Sequence, residues 1–193
     1  MSDPLLHYQH FGNELEGNNK GGEPLVFLHG MLGELQNWNS QAKRFAEAGY
    51  QVISIDLRNH GDSPHIKGMS YRQMADDVLA LLADLGLSKV HLLGHSMGGK
   101  VAMYLALNHS DIIQKLVVVD IAPVAYPLWH QSIFYALLSL PLATLKSRNE
   151  ADDLLAENFD DAFERAFLLK NLKRVEGVYQ WKCDLQEIAT NYL

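Results

Sequence analysis

The sequence predicts an α/β protein with a doubly wound, mostly parallel sheet and flanking helices. Helices with apolar residues at helical spacing are expected at residues 38–48, 70–85 and 97–108. They separate four short apolar runs, each typical of a strand covered on both faces: residues 25–29, 51–56, 89–94 and 115–120. Alternating strands and helices predict a parallel sheet, and ligands of such sheets bind at the carboxyl ends of the strands.

Local signals refine this N-terminal part. Ser70 and Gln73 have the spacing of a capping box, so the second helix should begin at Ser70. Residues 6–12 show some alternation of apolar and polar residues and predict an antiparallel edge strand. The glycine and asparagine cluster at residues 17–22 predicts a turn.

The pattern changes after Pro127, where helix-like stretches follow one another without a long strand between them. We expect three helices, a small hairpin and a short final helix, with the helices at 129–138, 150–158 and 160–172 and the hairpin at 172–175 and 178–182. The chain is therefore divided into an α/β core, residues 1–125, and a helical cap or lid, residues 126–193.

Bulk composition excludes several classes of protein. The 193 residues suffice for one cored domain with a small appendage, and the net charge of -7 offers no basic field for nucleic acid. The single cysteine, Cys183, cannot form an internal disulfide, which fits a cytoplasmic location. Residues 1–20 carry no secretory signal pattern, and prolines and an aspartate interrupt the apolar runs before the roughly 18 residues that a membrane span needs.

A serine nucleophile is predicted at the end of the third apolar run. This run leads directly into Gly94-His95-Ser96-Met97-Gly98 and then into a helix. A G-x-S-x-G pattern between a buried strand and a helix predicts a sharp turn that exposes the hydroxyl of Ser96 beside the helix N-terminus. The alternative is a glycine-rich loop in which the serine is incidental.

Two backbone amides are candidates for stabilising an oxyanion. The loop His29-Gly30-Met31-Leu32-Gly33 follows the first buried run and would lie beside Ser96 if the two strands are neighbours. Acyl transfer requires N–H groups directed at the developing oxygen, and we assign them to Met31 and Met97. His29 is expected to brace the loop rather than to carry a proton, with substrate contact as its alternative role.

Taken with their order along the chain, these motifs resemble those of the α/β-hydrolase superfamily and, more narrowly, its small bacterial-type serine esterase branch. The resemblance covers residues 24–125 closely and the cap loosely, and it rests on FLHGMLG, DLRNHGDSP, GHSMGGK and VVVDIAP. It implies hydrolysis of carboxylic or thioester bonds without a cofactor or metal. A serine at position 96, where haloalkane dehalogenases and epoxide hydrolases carry aspartate, argues against those two reactions.

The loop at residues 56–64 follows the second buried run. In the family this loop structures the floor of the active site, and Arg58 or His60 could touch substrate. We expect a structural role for the loop, because Asn, Gly, Asp and Pro cluster there as turn formers.

A serine nucleophile works with a histidine base and a carboxylic acid in a catalytic triad, and the sequence indicates these two partners less completely than it indicates Ser96. Asp120 ends the fourth apolar run and resembles the orienting acid of this esterase branch; the alternatives are a strand-end turn residue or an acid after a further strand. The base should be a histidine that follows the acid, but no histidine occurs after His130. We expect the remaining core strands and this histidine to be absent from the chain, with His130 as the least implausible substitute.

The sequence therefore predicts a serine hydrolase that cleaves small acyl esters or thioesters through an acyl-enzyme on Ser96. The alternatives are a non-catalytic ligand binder of the same fold and a carbon–carbon bond hydrolase. Acyl length, leaving group and oligomeric state are not determined by the sequence.

Overall fold

The computed structural model describes residues 6–12 and 22–192. The predicted turn at residues 17–22 lies outside the described residues except for Gly22. The chain separates into two compact units, Met1–Val124 and Ala125–Leu193.

A five-stranded sheet organises the first unit, in the order β1-β3-β2-β4-β5. The antiparallel strand β1 pairs with β3 at one edge, and every other neighbouring pair is parallel. The strands are β1 (Tyr8–Phe11), β2 (Pro24–Leu28), β3 (Gln51–Ile55), β4 (Val90–His95) and β5 (Ile113–Val119). The predicted parallel sheet and its antiparallel edge strand are thus confirmed, with boundaries shifted by one to two residues.

Three helices connect these strands. A 3₁₀ turn at Leu35–Trp38 leads into α1 (Asn39–Glu47), and the others are α2 (Tyr71–Asp84) and α3 (Met97–Asn108). The capping box at the start of α2 is confirmed, because the Ser70 hydroxyl accepts the Gln73 N–H at 3.2 Å and the Gln73 side chain accepts the Ser70 N–H at 3.0 Å. This reciprocal pair fixes where the helix begins.

The central strands β2 and β3 are buried along their whole length, as their continuous apolar composition predicts. Phe27 of β2 packs its ring 5.2 Å from that of Trp38 and 5.8 Å from that of Phe45. The aromatic contacts anchor the segment that follows β2 on one face of the sheet. That segment includes the predicted oxyanion loop.

Strand β5 differs from its prediction as a strand covered on both faces. Leu116 is 37% exposed and Val117 is 47% exposed. The strand lies at the edge of the sheet, where among the described residues only β4 pairs with it. The composition of β5 suits a buried strand, but several of its apolar side chains are exposed to solvent because the strand lies at the edge of the sheet.

The second unit contains four helices and a two-stranded hairpin among its described residues. They are α4 (Gln131–Ser139), α5 (Arg148–Ala156), α6 (Ala162–Leu168), β6 (Leu172–Val175), β7 (Val178–Trp181) and α7 (Leu185–Tyr192). The predicted helices and hairpin are confirmed, and Phe134 and Leu137 of α4 are buried in this unit. In the described part of the chain, no helix combines the length and the apolar character needed to cross a membrane.

Candidate active site

Ser96 occupies the junction between β4 and α3. Its backbone has φ +49° and ψ −115°, a conformation that only glycine adopts without strain, and its side chain is half-buried. Such a residue typically costs about 1–3 kcal/mol and persists only where its surroundings impose it. Here the Ser96 N–H donates to the carbonyl of Val119 at 3.0 Å, which ties the junction to the end of β5.

Two glycines allow the chain to turn this sharply. A Cβ placed on Gly94 would lie 2.3 Å from the carbonyl oxygen of Gly98, and one placed on Gly98 would lie 2.5 Å from the carbonyl oxygen of His29. No side chain fits at either distance. The Gly98 N–H instead donates to that His29 carbonyl at 3.2 Å, so the first turn of α3 rests on the end of β2.

The loop predicted to stabilise an oxyanion lies against Ser96. It forms a tight turn closed by the Gly33 N–H, which donates to the carbonyl of Gly30 at 3.0 Å. A Cβ built on Gly30 would be 3.3 Å from the Cβ of Ser96. The neighbouring strands β2 and β4 thus deliver this loop and the serine to one place.

The amides of Met31 and Met97 are candidates for binding an anion. Both residues are half-buried, and within residues 6–12 and 22–192 neither N–H enters a hydrogen bond. The Met97 N–H belongs to the first turn of α3, where the positive end of the helix dipole adds to its attraction for negative charge. Unused amides from two separate segments therefore flank the Ser96 turn.

Asp120 follows β5 directly, and the pairing of His95 with Val119 brings it next to the Ser96 turn. Its backbone has φ +55°, and its side chain is 86% exposed. One carboxylate oxygen, Oδ2, lies 3.8 Å from Nε2 of His95, which is too long for a hydrogen bond. The carboxylate therefore faces solvent close to the Ser96 turn.

Two other histidines are buried beside the loop, and burial keeps both rings neutral near pH 7. His29 donates from Nδ1 to the Gly30 carbonyl at 2.8 Å and accepts the Leu57 N–H on Nε2 at 3.0 Å. His60 donates from Nδ1 to the Arg58 carbonyl at 2.9 Å and accepts the Leu32 N–H on Nε2 at 3.2 Å. Burial lowers the pKa of His29 to about 4 and that of His60 to about 3. Neither ring has a nitrogen left for substrate or for Ser96.

Arg58, the other predicted substrate contact, is engaged within the protein. Its guanidinium is buried, donates twice to Asp77 and donates to the carbonyls of Lys67, Gly68 and Gln73. These five bonds use every N–H that the side chain carries. The geometry thus accounts for Arg58 as a residue that fastens the loop at residues 56–64 to α2.

Two positioning groups had no distinct signal in the sequence. The buried carboxylate of Asp56 accepts the Leu35 N–H at 2.7 Å and thereby holds the chain just after the loop at residues 29–33. The ammonium group of Lys100 donates to the carbonyl of Ala122 at 2.7 Å and also to that of Val124, which fastens the segment after Asp120 to α3. For Asp56 the sequence offered only its place at the end of a buried strand, and for Lys100 it offered no indication of this contact.

The remaining histidines do not complete a triad in the described residues. No histidine of residues 6–12 or 22–192 forms a hydrogen bond with the Ser96 hydroxyl. His91 pairs with Glu23 through Nε2 at 2.7 Å. His130, the substitute considered from the sequence, lies in the second unit with Nδ1 3.0 Å from the hydroxyl of Tyr192.

The chain is similar in sequence to known proteins. The chain is 43% identical over 172 residues to the sn-1-specific diacylglycerol lipase ABHD11 of Mus musculus, a match that covers 86% of this chain and 56% of that protein. It is 34% identical over 176 residues to Esterase YbfF of Escherichia coli, covering 91% of this chain and 67% of the relative. The chain thus spans between about half and two thirds of the length of these curated relatives.

A solved structure described as a marine microorganism esterase superposes with a TM-score of 0.90 at 39% identity, covering 97% of this chain and 72% of that one. The sequence profile of the alpha/beta hydrolase fold matches residues 23–177, which include the Ser96 turn, the loop after β2 and most of the second unit. With the parallel sheet and the serine at the strand-to-helix junction, these matches identify the chain as a member of the α/β-hydrolase superfamily.

Proposed function

We propose that this chain is the nucleophile-bearing part of a serine hydrolase that cleaves small carboxylic esters or thioesters. The observation that carries the proposal is the strained Ser96 turn, flanked by the unused amides of Met31 and Met97. The names of the two curated relatives and of the solved structure, each a lipase or an esterase, support an ester as the substrate.

The reaction follows from this arrangement. A base removes the proton of the Ser96 hydroxyl while the oxygen attacks the acyl carbon, and the carbonyl oxygen becomes an oxyanion held by the N–H groups of Met31 and Met97. The intermediate collapses to an acyl-serine, and the base returns the proton to the departing alcohol or thiol. Water then attacks the acyl-serine with the same base, releasing the carboxylic acid and restoring the hydroxyl.

Asp120 is the proposed acid of this mechanism. Its position beside the Ser96 turn and its exposed carboxylate suit it to accept a hydrogen bond from the imidazole of the base. Removing that carboxylate leaves the histidine misoriented, and comparable substitutions in other serine hydrolases reduce kcat by about 10⁴-fold.

The base itself is proposed to lie on polypeptide that pairs with the free edge of β5. That edge exposes apolar side chains of a composition suited to a buried strand, Leu116 and Val117 among them. Further strands added there would pair with β5, their connecting helices would cover these side chains, and the loop after the last strand would lie at the carboxyl edge of the sheet with Ser96 and Asp120. The greater length of the relatives supports this proposal.

A fluorophosphonate probe with peptide mapping tests the nucleophile. In a protein extended at its C-terminus by strands that pair with β5, we expect labelling at Ser96 and none in the Ser96→Ala variant, which differs by a single oxygen atom. Ser139, whose hydroxyl donates to the Ala136 carbonyl, provides a matched control because Ser139→Ala should label like the unmodified chain. The absence of labelling in that extended protein would favour the ligand binder.

The position of the base is tested separately with p-nitrophenyl esters of increasing acyl length. The 193-residue chain should hydrolyse them far more slowly than a chain extended at its C-terminus by the corresponding strands. Full activity of the 193-residue chain, abolished by His95→Gln, would instead identify His95 as the base and refute the proposed position.

A further inference from the structure

The proposed acid, Asp120, lies at the start of an irregular connection. Residues 120–130 form neither a helix nor a strand. The backbone of Asp120 has φ +55°, in the left-handed region, which aspartate tolerates better than most residues but which still needs support from its surroundings. Within the part of the chain that the structure describes, neither backbone group of Asp120 enters a hydrogen bond. The residues on either side therefore hold it in place.

The first turn of α3 contacts the chain both before and after Asp120. Before it, the Ser96 N–H donates to the Val119 carbonyl at 3.0 Å. After it, the side chain of Ile121 lies against Gly99, where an added Cβ would come within 2.5 Å of Cγ2 of that isoleucine. The helix that begins at the proposed nucleophile thus also supports the chain around the proposed acid.

A third contact comes from Lys100, one turn along α3 from Ser96. Its ammonium group donates to the carbonyl of Ala122 at 2.7 Å and to that of Val124. Pro123 lies between these carbonyls, has a fixed φ and keeps Ala122 out of the helical conformation, so both carbonyls belong to a stiff segment. Hydrogen bonds from a charged donor are about twice as strong as those between neutral groups. Lys100 thus anchors the connection before the chain leaves the first unit.

We propose that Lys100 is a positioning residue that keeps the Asp120 carboxylate beside the Ser96 turn. The carboxylate is 86% exposed and lies 3.8 Å from Nε2 of His95, and no side chain of the described residues holds it by a hydrogen bond. Its position therefore depends on the backbone, and Lys100 stops movement of the irregular connection from reaching that backbone. The inference rests on the proposed function, since it takes Asp120 as the acid of the reaction.

Three substitutions separate this role from a general effect of charge or stability. Lys100→Met retains the aliphatic part of the side chain and loses every hydrogen-bond donor. Lys43→Met removes the same charge from an exposed position in α1 and is the matched control. Asp120→Asn removes the acid but retains a residue type that tolerates the left-handed conformation.

The first measurement is independent of catalysis. In ¹H–¹⁵N spectra of the 193-residue chain, Lys100→Met should shift the amide signals of Asp120 and Ile121 and lower their heteronuclear NOE values towards those of a mobile segment. The signals of β2 and β3 should stay in place, and Lys43→Met should change neither Asp120 nor Ile121. Unaltered NOE values at these two residues in Lys100→Met, or changes spread equally over β2 and β3, overturn the proposal.

The second measurement is a double-mutant cycle on kcat for p-nitrophenyl acetate, in the protein extended at its C-terminus by strands that pair with β5. Lys100→Met alone should lower kcat by about 10- to 100-fold with KM nearly unchanged, less than the loss of about 10⁴-fold expected without the acid. In the Asp120→Asn background it should lower kcat by less than about twofold, because a residue that acts through the acid has no effect once the acid is gone. Equal fold losses in both backgrounds, or a rise in KM alone, would contradict the positioning role.

The two proposals fail in distinguishable ways. If the extended protein neither hydrolyses esters nor reacts with a fluorophosphonate at Ser96 while the NOE value of Asp120 still depends on Lys100, the proposed function fails and the anchoring of Asp120 by Lys100 stands. If Ser96 reacts but Lys100→Met leaves the NOE values of Asp120 and Ile121 unaltered, the positioning role fails and the proposed function stands.

Discussion

Acidification should destabilise this protein steeply between pH 6 and pH 5, because two buried histidines resist protonation. Burial lowers the pKa of His29 from 6.5 to about 4 and that of His60 from 6.5 to about 3. In this pH range the unfolded chain binds a proton at each position and the folded chain does not. Unfolding therefore takes up protons, and stability falls as the pH falls.

The size of the effect follows from these values. A fully developed difference of one bound proton changes the free energy of unfolding by about 1.4 kcal/mol per pH unit. Allowing for partial protonation of the unfolded chain near its pKa, each histidine contributes about 1.2 kcal/mol between pH 6 and pH 5, and the two together about 2.4 kcal/mol. The contribution is fully present above pH 6.5 and is lost progressively towards pH 4 for His29 and pH 3 for His60.

Urea unfolding followed by tryptophan fluorescence at pH 6 and pH 5 measures this difference. His29→Gln and His60→Gln should each lower stability at pH 6 but reduce the loss on acidification by about half, since glutamine does not titrate. Leu105→Ala is the control: the residue is fully buried in α3, so the substitution lowers stability by a similar amount at both pH values. Glutamine variants that retain the whole loss between pH 6 and pH 5 would refute the reasoning.

Three further substitutions test contacts that position the site, each by the midpoint and slope of urea unfolding. Asp77→Asn leaves the buried guanidinium of Arg58 without its counter-ion and should cost about 3 kcal/mol; an effect below 1 kcal/mol would mean that the pair is not desolvated. Gly98→Ala forces a methyl group against two carbonyl oxygens at 2.5 and 2.6 Å and should cost about 2 kcal/mol, whereas unaltered stability would contradict the close approach of α3 to β2. Ser70→Ala removes the capping oxygen of α2 and should cost about 1 kcal/mol, with Ser70→Asp as a control that retains a cap.

Local signals accounted for most of the fold. Apolar runs, helical spacing and the capping box at Ser70 act over a few residues, so the sequence was sufficient to predict the parallel strands, the helices α1 to α3 and the helical stretches of the second unit. The position of Ser96 between a strand and a helix was predictable for the same reason, because both neighbours are adjacent in the chain.

The contacts that support the site were not predictable in this way. His60 bonds Leu32 across 28 residues, and Arg58 bonds Asp77 across 19. A histidine or an arginine in a polar turn has the same local pattern whether it faces solvent or is buried. The possible substrate contacts of His29 and Arg58 were inferred without knowing that their hydrogen-bonding groups are already engaged.

Residues close together in the chain were enough to predict which segments form strands and helices and which serine ends a strand. The exposure of β5 at the sheet edge and the two neutral histidines that join the loops beside Ser96 became visible only in the folded chain. Burial and hydrogen bonding between distant segments arise when the sheet assembles, and they set both the charge of these histidines and the direction of the amides they hold.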